Sequence, residues 1–380
     1  MKIGILTFHW AKNYGAVLQT YALQSKLKQL GHEPIIINRQ PEVKGLRRLY
    51  EALSYKHTWG WKRFDRFSQT ALQPQSLLCQ TDEQLKAEMQ RMQLDAVVVG
   101  SDQVWRWRMI GLNYFLDFID QPNVKKFSYA ASFGLSEWKD APEITKQIQT
   151  LLQAFNKISV REATGVDICK QVFNVDAELV LDPTLLHERE FYEKTVLKDQ
   201  PNIPTRKVVS CILGEETPTR LPQIQQWAKH RNLAHQEIYW SKLDHKVLWK
   251  SEESFILHLS VPEWLNAIRC AEYVITNSFH AAVFCILFNK KFIVLDNPSG
   301  GSDRIATLLK AVNQEERFCK NIPDHIAENT QPEATLQLLA ENVPTASPFY
   351  NLWHNPQQHS SDNRLKKGVF TPSSALIIPQ

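Results

Sequence analysis

The sequence contains no apolar run that approaches the ~18 residues of a membrane-spanning helix. Its six cysteines never form a C-x-x-C pair, and it has no H-E-x-x-H motif or Cys/His cluster, so a zinc site is not predicted. Buried, reduced thiols of a cytosolic protein are expected instead. Positive and negative charges are nearly balanced, since 44 basic and 40 acidic residues give a net charge of +4. That balance disfavours a nucleic-acid-binding protein, which needs a dense basic face.

What is present is typical of a globular chain that can bury a large core. The 380 residues predict about two domains. The start, MKIGILTFHWAKNYG, has a short apolar run that Asn13 and Gly15 interrupt, so we expect a first strand and not a signal peptide.

Apolar strand patterns alternate with helical ones. Strands are predicted over Lys2–Thr7, Pro34–Asn38, Ala96–Val99, Lys126–Ser132, Ile158–Val160, Leu179–Leu181, Lys207–Ile212, Glu237–Tyr239, Tyr273–Thr276 and Phe292–Leu295. Helices are predicted over Ala16–Leu30, Thr81–Met92, Glu143–Phe155, Gly165–Val172, Leu221–Asn232, Pro262–Cys270 and His280–Phe288. This alternation predicts an α/β protein with parallel sheets.

A polar, proline-containing stretch over Lys198–Arg206 predicts the main domain boundary. We expect a Rossmann-like domain over 1–198, a second over 199–354, and a tail over 355–380 that is poorly ordered or packed across the first domain.

In open α/β sheets ligands bind at the carboxyl ends of strands, so the polar residues that follow strands are the candidate site. After the first strand, Asn13 and Gly15 begin a long helix whose free N–H groups could hold an anion, although Asn13 could equally be only the helix cap. After the third, Ser101 and Asp102 could bind a sugar hydroxyl or accept a proton; helix capping is the alternative for Asp102.

Three other features near strand ends have both a possible substrate role and a structural one. Trp105 and Trp107 could offer flat faces to sugar rings, although core packing is the commoner role of tryptophan. Arg161 ends a strand and could bind a carboxylate or phosphate, or else pair internally with Glu162. The Asp182-Pro183 turn is interpreted as structural.

Two further strand ends carry polar residues. Gly300, Gly301 and Ser302 precede a helix with Arg304 in its first turn, a weak phosphate-binding pattern. In TNSFHAAVF, Asn277 or Ser278 is the predicted cap of an apolar helix that begins with His280. A histidine there could exchange a proton near neutral pH, or could simply be a hydrogen-bonding residue.

Short motifs follow one another along the chain: NYGAVLQ, VVGSDQVW, SYAASFG, ISVRE, LDPTLL, TNSFHAAVF, a lysine-containing turn before FIVL, and GGSDRI. In this order the sequence resembles the polysaccharide pyruvyl transferase family over about residues 1–310. The resemblance implies a glycosyltransferase-B-like fold, with two Rossmann-like domains facing across a cleft. It also implies that phosphoenolpyruvate gives its three-carbon unit to two hydroxyls of a sugar, with no metal or cofactor required.

The resemblance assigns roles to two residues: His280 corresponds to a histidine near the donor site and Arg161 to a strand-end arginine. Together with the strand-end argument, it makes His280 and Asp102 the predicted catalytic residues. The predicted substrate-binding residues are Asn13, Gly15, Gln19, Ser101, Arg161, Asn277, Ser278 and Arg304. Members of the family often carry Arg-x-His where this chain has Ser278-Phe279-His280. Arg304 or Arg161 would then supply the missing charge, or the donor differs.

Two other functions stay open at this point. A glycosyltransferase of the same fold would use a nucleotide-sugar, with Glu215 or Glu263 on the ribose; a non-catalytic glycan-binding protein would use His280 structurally. The favoured function predicts a cytoplasmic enzyme, which could associate with the inner membrane face. Its acceptor would be a lipid-linked or nucleotide-linked sugar, chosen through the variable stretch Leu46–Gln80.

Overall fold

The computed structural model describes residues 1–42, 59–214, 217–238, 259–296 and 301–326. The chain divides into a large unit, Met1–Thr345, and a short one, Ala346–Gln380, that lies wholly outside the described residues. The predicted tail over 355–380 and the first part of the predicted acceptor stretch, residues 46–58, therefore also lie outside them.

The first half of the large unit is built on a parallel sheet with the strand order β2-β1-β3-β4. Its strands are Lys2–Leu6 (β1), Glu33–Ile36 (β2), Ala96–Val99 (β3) and Lys125–Ser128 (β4). Isolated bridges extend the sheet from β4 to a parallel pair, Ser159–Val160 (β5) and Glu178–Leu179 (β6). All four residues of β3 are buried, as expected for a strand covered by helices on both faces.

The second half has a parallel sheet of five strands in the order β11-β10-β9-β7-β8. The strands are Lys207–Cys211 (β7), Ala234–Glu237 (β8), Tyr273–Thr276 (β9), Lys291–Leu295 (β10) and Phe318–Cys319 (β11). The strand predicted over Glu237–Tyr239 overlaps β8 only at Glu237, because β8 pairs with β7 from Ala234 onward; Tyr239 lies outside the described residues.

Helices connect the strands. They are Tyr14–Gln29 (α1), Trp59–Ala71 (α2), Asp82–Met92 (α3), Trp107–Ile110 (α4), Pro142–Gln153 (α5), Ala163–Gln171 (α6), Arg189–Lys194 (α7), Thr217–Lys229 (α8), Val261–Cys270 (α9), Phe279–Leu287 (α10) and Ser302–Ala311 (α11). Local sequence fixes several starts: Thr81 and Ser260 each form a capping box, with Gln84 and Glu263 respectively.

The two halves share a hydrophobic core. One buried cluster contains Val17 and Leu18 of α1 together with much of α9 and α10. Tyr14 is stacked on Trp264 of the second half, with ring centroids 5.1 Å apart and planes 8° apart. The Tyr14 hydroxyl also donates a hydrogen bond to the carbonyl of Leu259 at 2.8 Å. Because this contact is apolar and extensive, the halves are held in one arrangement.

The predicted fold class, α/β with two Rossmann-like halves in a glycosyltransferase-B-like arrangement, is confirmed by these two parallel sheets. The residue at which one domain gives way to the other stays a prediction. None of the helices in the described segments has the length and hydropathy needed to cross a bilayer.

Candidate active site

Each sheet has a point at which the strand order reverses, between β1 and β3 and between β7 and β9. Ligands of open α/β sheets bind beside such points. In the first sheet, the backbone N–H of Ser101 donates to Gln19 Oε1 (3.1 Å), and Thr7 Oγ1 donates to the Ser101 carbonyl (2.9 Å). In the second, the side-chain amide of Asn277 bonds the backbone N–H and carbonyl of Leu213, at 2.6 and 2.9 Å. Side chains therefore fix the strand-end loops at both points.

Arg161 is the centre of the site. Its Nη1 donates to Asp182 Oδ2 at 2.9 Å and its Nη2 to Asp102 Oδ1 at 3.1 Å. The exposed fractions of the three side chains are 1%, 0% and 14%, so this is a buried network. Asp182 also accepts from Ser101 Oγ (2.8 Å) and from the Thr184 hydroxyl (2.6 Å). The fork of Arg161 is thus already occupied by two carboxylates from other strand ends.

These contacts fix the charges. Burial alone would raise the pKa of Asp182, but the charges of His280 and Arg161, with hydrogen bonds, hold that pKa well below its usual range. Burial also opposes ionisation of Asp102, and Arg161, His280 and Arg304 together lower its pKa. Burial opposes the charge of Arg161 as well, yet the neighbouring carboxylates raise its pKa. At neutral pH the network is therefore two carboxylates around one guanidinium.

His280 reaches this network from the second half. Ser278 caps α10 by accepting from the Ala281 N–H at 3.4 Å, which places His280 in the first turn. Its Nε2 lies 3.6 Å from Asp182 Oδ2, too long for a hydrogen bond. Nε2 is buried and has no hydrogen-bond partner among the described residues. The imidazole therefore has one nitrogen that the described part of the protein does not engage.

Gly15 makes room for this histidine. A Cβ on Gly15 would lie 2.0 Å from His280 Nδ1 and 2.3 Å from its Cγ. The backbone of α1 in the first half thus forms one wall of the imidazole position. The sequence predicts an anion site at the helix start that contains Gly15, and the structure places His280 directly beside this glycine.

Glu162 lies next to Arg161, but its side chain points into the protein. It is 1% exposed and its Oε1 accepts from the Phe133 N–H at 3.0 Å. Burial raises the pKa of Glu162, and the charges of Arg161 and Arg304 and a hydrogen bond with Ser132 only partly oppose this. Its Oε2 has no hydrogen-bond partner within the described segments. This carboxyl group can therefore hold a proton more readily than the two aspartates.

Arg304 comes from the first turn of α11, in the second half. Burial, followed by repulsion from Arg161, lowers the pKa of Arg304 to about 10. Its Nε has no hydrogen-bond partner in the described part of the chain. Arg161 by contrast also lies over an aromatic ring, with its Cζ 4.6 Å from the Phe279 ring centroid. Arg304 is therefore a cation less fully paired than Arg161.

The other predicted binding residues take mostly scaffold positions. Asn13 is exposed and caps α1 by accepting from the Ala16 N–H at 3.1 Å. Gln19 and Ser101 are fully buried, and the amide of Asn277 is engaged as described above. Substrate contacts for these residues stay predictions.

The sugar-stacking prediction for Trp105 is wrong. Its side chain is 0% exposed and stacks on Phe115, with centroids 5.7 Å apart, and its Nε1 donates to the Tyr114 carbonyl at 3.0 Å. Trp107 is half-buried, with Nε1 donating to Asp140 Oδ2 at 2.7 Å. The apolar surface of Trp105 is thus buried in the core of the first half, as is usual for tryptophan.

Sequence reasoning missed Asp182, Glu162 and Phe279 as parts of the site. A signal was available for Asp182, since it directly follows the predicted strand Leu179–Leu181, as the other candidates follow their strands. Its prominent Asp-Pro turn pointed to structure instead, and the structure shows both roles: Asp182 Oδ1 accepts from the Thr184 N–H at 3.0 Å while Oδ2 binds Arg161.

The described residues contain no group of three or more His, Cys, Asp or Glu side chains placed to hold a metal ion. What the site offers is an unpartnered imidazole nitrogen, a half-buried guanidinium, and helix N-termini at His280 and Arg304. Such groups bind anions and move protons.

Two parallel α/β sheets with polar residues at their strand-end loops define a class of open α/β folds that bind ligands at those ends. The family model for polysaccharide pyruvyl transferase matches residues 13–299, and the chain belongs to this family of transferases. A search of curated protein sequences finds no significant match.

Solved structures with a similar course of the chain share little sequence. A putative UDP-N-acetylglucosamine 2-epimerase from Listeria monocytogenes is 11% identical, covers 90% of this chain and 87% of its own, and gives a TM-score of 0.48. The UDP-GlcNAc 2-epimerase of Methanocaldococcus jannaschii is 13% identical, with 90% and 100% covered and a TM-score of 0.47. Heptosyltransferase II of E. coli is 11% identical, with 90% and 98% covered and a TM-score of 0.38. No functional conclusion follows from identities this low.

Proposed function

We propose that this protein transfers the pyruvyl group of phosphoenolpyruvate to two hydroxyls of one sugar, forming a cyclic ketal and releasing phosphate. The observation that carries the proposal is that two side chains with unpartnered nitrogens, His280 and Arg304, begin the helices that follow neighbouring strands of the second sheet. The donor presents a phosphate and a carboxylate, so it needs cations and helix N-termini.

Arg304 is the cation that we assign to the donor. Arg161 donates to Asp102 and Asp182 already, and an incoming anion would have to compete with both carboxylates. Arg304 sits in the first turn of α11, where the helix dipole also favours an anion. This assignment supplies the charge that Ser278 does not, and it gives Arg161 the role of holding the two aspartates in place.

His280 is the group that we assign to proton transfer. In the reaction, C3 of the donor gains a proton and becomes a methyl group. Each of the two sugar hydroxyls loses a proton as its oxygen bonds to C2. One of these protons goes to C3, and the other leaves with the phosphate. A single relay can take a hydroxyl proton and deliver it to C3. Asp182, held ionised beside the ring, would stabilise the imidazolium that forms between these two steps.

Asp102 is the remaining charged group with measurable exposure, at 14% of its side chain. Its lowered pKa suits a hydrogen-bond acceptor for a sugar hydroxyl and does not suit an acid. We assign it to the acceptor, a lipid-linked or nucleotide-linked sugar in surface-glycan biosynthesis.

The nucleotide-sugar alternative gains no support from the described residues. Glu215 lies outside them. Glu263 accepts from the Ser260 backbone N–H at 2.9 Å and pairs with Arg63, so its carboxylate is already engaged.

Ligand-induced thermal shift tests the donor. Phosphoenolpyruvate, UDP-sugars and GDP-sugars are compared on wild type, Arg304→Gln, His280→Ala and the matched control Arg206→Gln, whose side chain is 79% exposed. A ligand that binds only the native state raises the melting temperature with its concentration. We expect a rise with phosphoenolpyruvate in wild type, Arg206→Gln and His280→Ala, and little or none in Arg304→Gln.

Phosphate release is then followed with extracts containing lipid-linked or nucleotide-linked sugars. His280→Ala should bind the donor but release no phosphate above background. A thermal shift with nucleotide-sugars and none with phosphoenolpyruvate would contradict the proposed donor, and an unchanged shift in Arg304→Gln would contradict the assigned cation.

A further inference from the structure

Glu162 is a buried carboxyl group that neither the fold nor the proposed chemistry requires. It occupies the N-cap position of α6, yet its side chain makes no capping hydrogen bond. The side chain turns inward and its Oε1 accepts from the Phe133 N–H at 3.0 Å. A capping carboxylate would have satisfied the helix end, so this placement needs another reason.

Glu162 Oε2, Arg161 Nε and Arg304 Nε are buried atoms that have no hydrogen-bond partner among the described residues. Arg161 Nε is 4.0 Å from Glu162 Oε2, beyond hydrogen-bond distance. The start of α6 contacts α11, since the Ala163 N–H donates to Thr307 Oγ1 at 3.4 Å, and Arg304 of α11 interacts by charge with Arg161 and Glu162. Glu162 is therefore near both the arginine of the buried network and the cation assigned to the donor.

The charged and titratable groups facing Glu162 come from each element packed against it. Arg161 follows β5 and directly precedes Glu162, Arg304 lies on α11, and Cys169 lies on α6. Burial and the charge of Glu162 raise the pKa of the Cys169 thiol. Cys169 is neutral, so the two arginines are the charges that favour ionised Glu162. An anion that binds Arg304 takes away part of this favourable interaction and adds a negative charge nearby.

We propose that the carboxyl group of Glu162 takes up a proton when an anion binds beside Arg304. Its burial and its unpartnered oxygen leave the neutral form accessible, consistent with the raised pKa. The inference rests on the anion site of the proposed function, but not on the identity of the donor. Glu162 is thus a positioning residue: its negative charge attracts Arg304 in the empty site, and its protonation leaves the charge of Arg304 to the anion.

Sulfate is the probe, because it stays a dianion across the range tested and brings no proton of its own. Its Kd is measured from pH 5.5 to 7.5 by thermal shift or calorimetry on wild type, Glu162→Gln, His280→Gln and the exposed control Glu143→Gln. Uptake of one proton per anion makes Kd rise by up to about tenfold per pH unit. We expect this rise in wild type and Glu143→Gln, and a slope at most half as steep in Glu162→Gln.

His280 could also bind a proton with the anion, so its variant separates the two sources. A Glu162→Gln slope equal to that of wild type overturns the inference, whatever His280→Gln shows. Absence of sulfate binding to wild type overturns it as well. If Glu162→Gln fails to fold, infrared difference spectra of the wild-type protein provide the test. Addition of sulfate should produce the C=O band of a protonated carboxylic acid, and the absence of this band would overturn the inference.

The same titration with phosphoenolpyruvate keeps the two proposals apart. If sulfate binds with the expected pH dependence and phosphoenolpyruvate does not bind, proton uptake at Glu162 stands and the proposed donor is wrong. If phosphoenolpyruvate binds with no dependence on Glu162, the donor stands and the inference fails.

Discussion

The clearest consequence of the structure concerns Gly15, where a single methyl group would enter the space of His280. A Cβ built there lies 2.0 Å from Nδ1, 2.3 Å from Cγ and 2.8 Å from Cβ of the imidazole side chain. Gly15→Ala therefore forces the ring to move by more than 1 Å or forces α1 away from α10. Overpacking of this kind costs about 1–3 kcal/mol of unfolding free energy.

The same substitution also favours the helix, since alanine in a helix is about 0.5–1 kcal/mol more favourable than glycine. The net loss in wild type should thus be up to about 2.5 kcal/mol. In a His280→Ala background the contacts with Nδ1 and Cγ are gone and only the 2.8 Å contact with Cβ remains, so Gly15→Ala should destabilise the protein much less. This difference between the two backgrounds is the prediction.

Denaturant unfolding of the four proteins of this double-mutant cycle measures the coupling without any assumption about substrate. Gly165→Ala is the matched control, because Gly165 also lies near a helix start. Its added Cβ would make a milder contact, 3.2 Å from Val160 Cβ, and would not meet His280. It should have nearly the same effect in both backgrounds. Turnover in Gly15→Ala should fall by about 100-fold, since displacements near 1 Å have such effects on catalysis.

Equal effects of Gly15→Ala in the two backgrounds would refute the argument that His280 is what excludes a side chain at this position. So would full activity in the single variant, because the imidazole cannot keep its place beside Asp182 with a methyl group in contact at these distances.

Three further predictions concern stability. Arg161→Gln should cost about 3–5 kcal/mol in denaturant unfolding, because it leaves Asp182 buried without its guanidinium partner. His187 should make the fold acid-sensitive: burial lowers the pKa of His187 to about 4, so between pH 6.5 and 4 the unfolded chain binds the proton first. Stability should fall by up to about 3 kcal/mol over that range, measured by denaturant midpoints, and His187→Gln should remove this part of the loss. Tyr14→Phe should cost about 1 kcal/mol, because it removes the hydrogen bond to Leu259 and keeps the ring stacking.

Each of these has a control and a contrary result. Lys170→Gln breaks an exposed ion pair with Asp176 and should change stability little, so a similar loss in both ion-pair variants would contradict the importance of burial. A pH profile unchanged by His187→Gln would place the acid sensitivity elsewhere. A Tyr14→Phe variant as stable as wild type would mean that water replaces the hydrogen bond.

Much of the fold could be predicted because it depends on local patterns. The helix predicted over His280–Phe288 is observed at Phe279–Leu287 with Ser278 as its cap, and the one predicted over Thr81–Met92 at Asp82–Met92. Caps and apolar periodicity are interactions between residues three or four apart, so a sequence displays them directly. The strand predicted over Lys126–Ser132 is cut short at Ser128, because Ala130 has a φ of +52° and the chain turns toward the site.

The amino-acid sequence by itself determined the alternation of strands and helices, and hence the parallel sheets and the strand ends at which the site lies. Only the tertiary structure decided which strand ends meet. Arg161 is paired with Asp102, 59 residues away, and faces a histidine from the other half of the molecule. The reason is physical: burial and charge pairing depend on distances through space, and Gly15, Glu162 and Asp182 acquire their roles only from neighbours that folding brings to them.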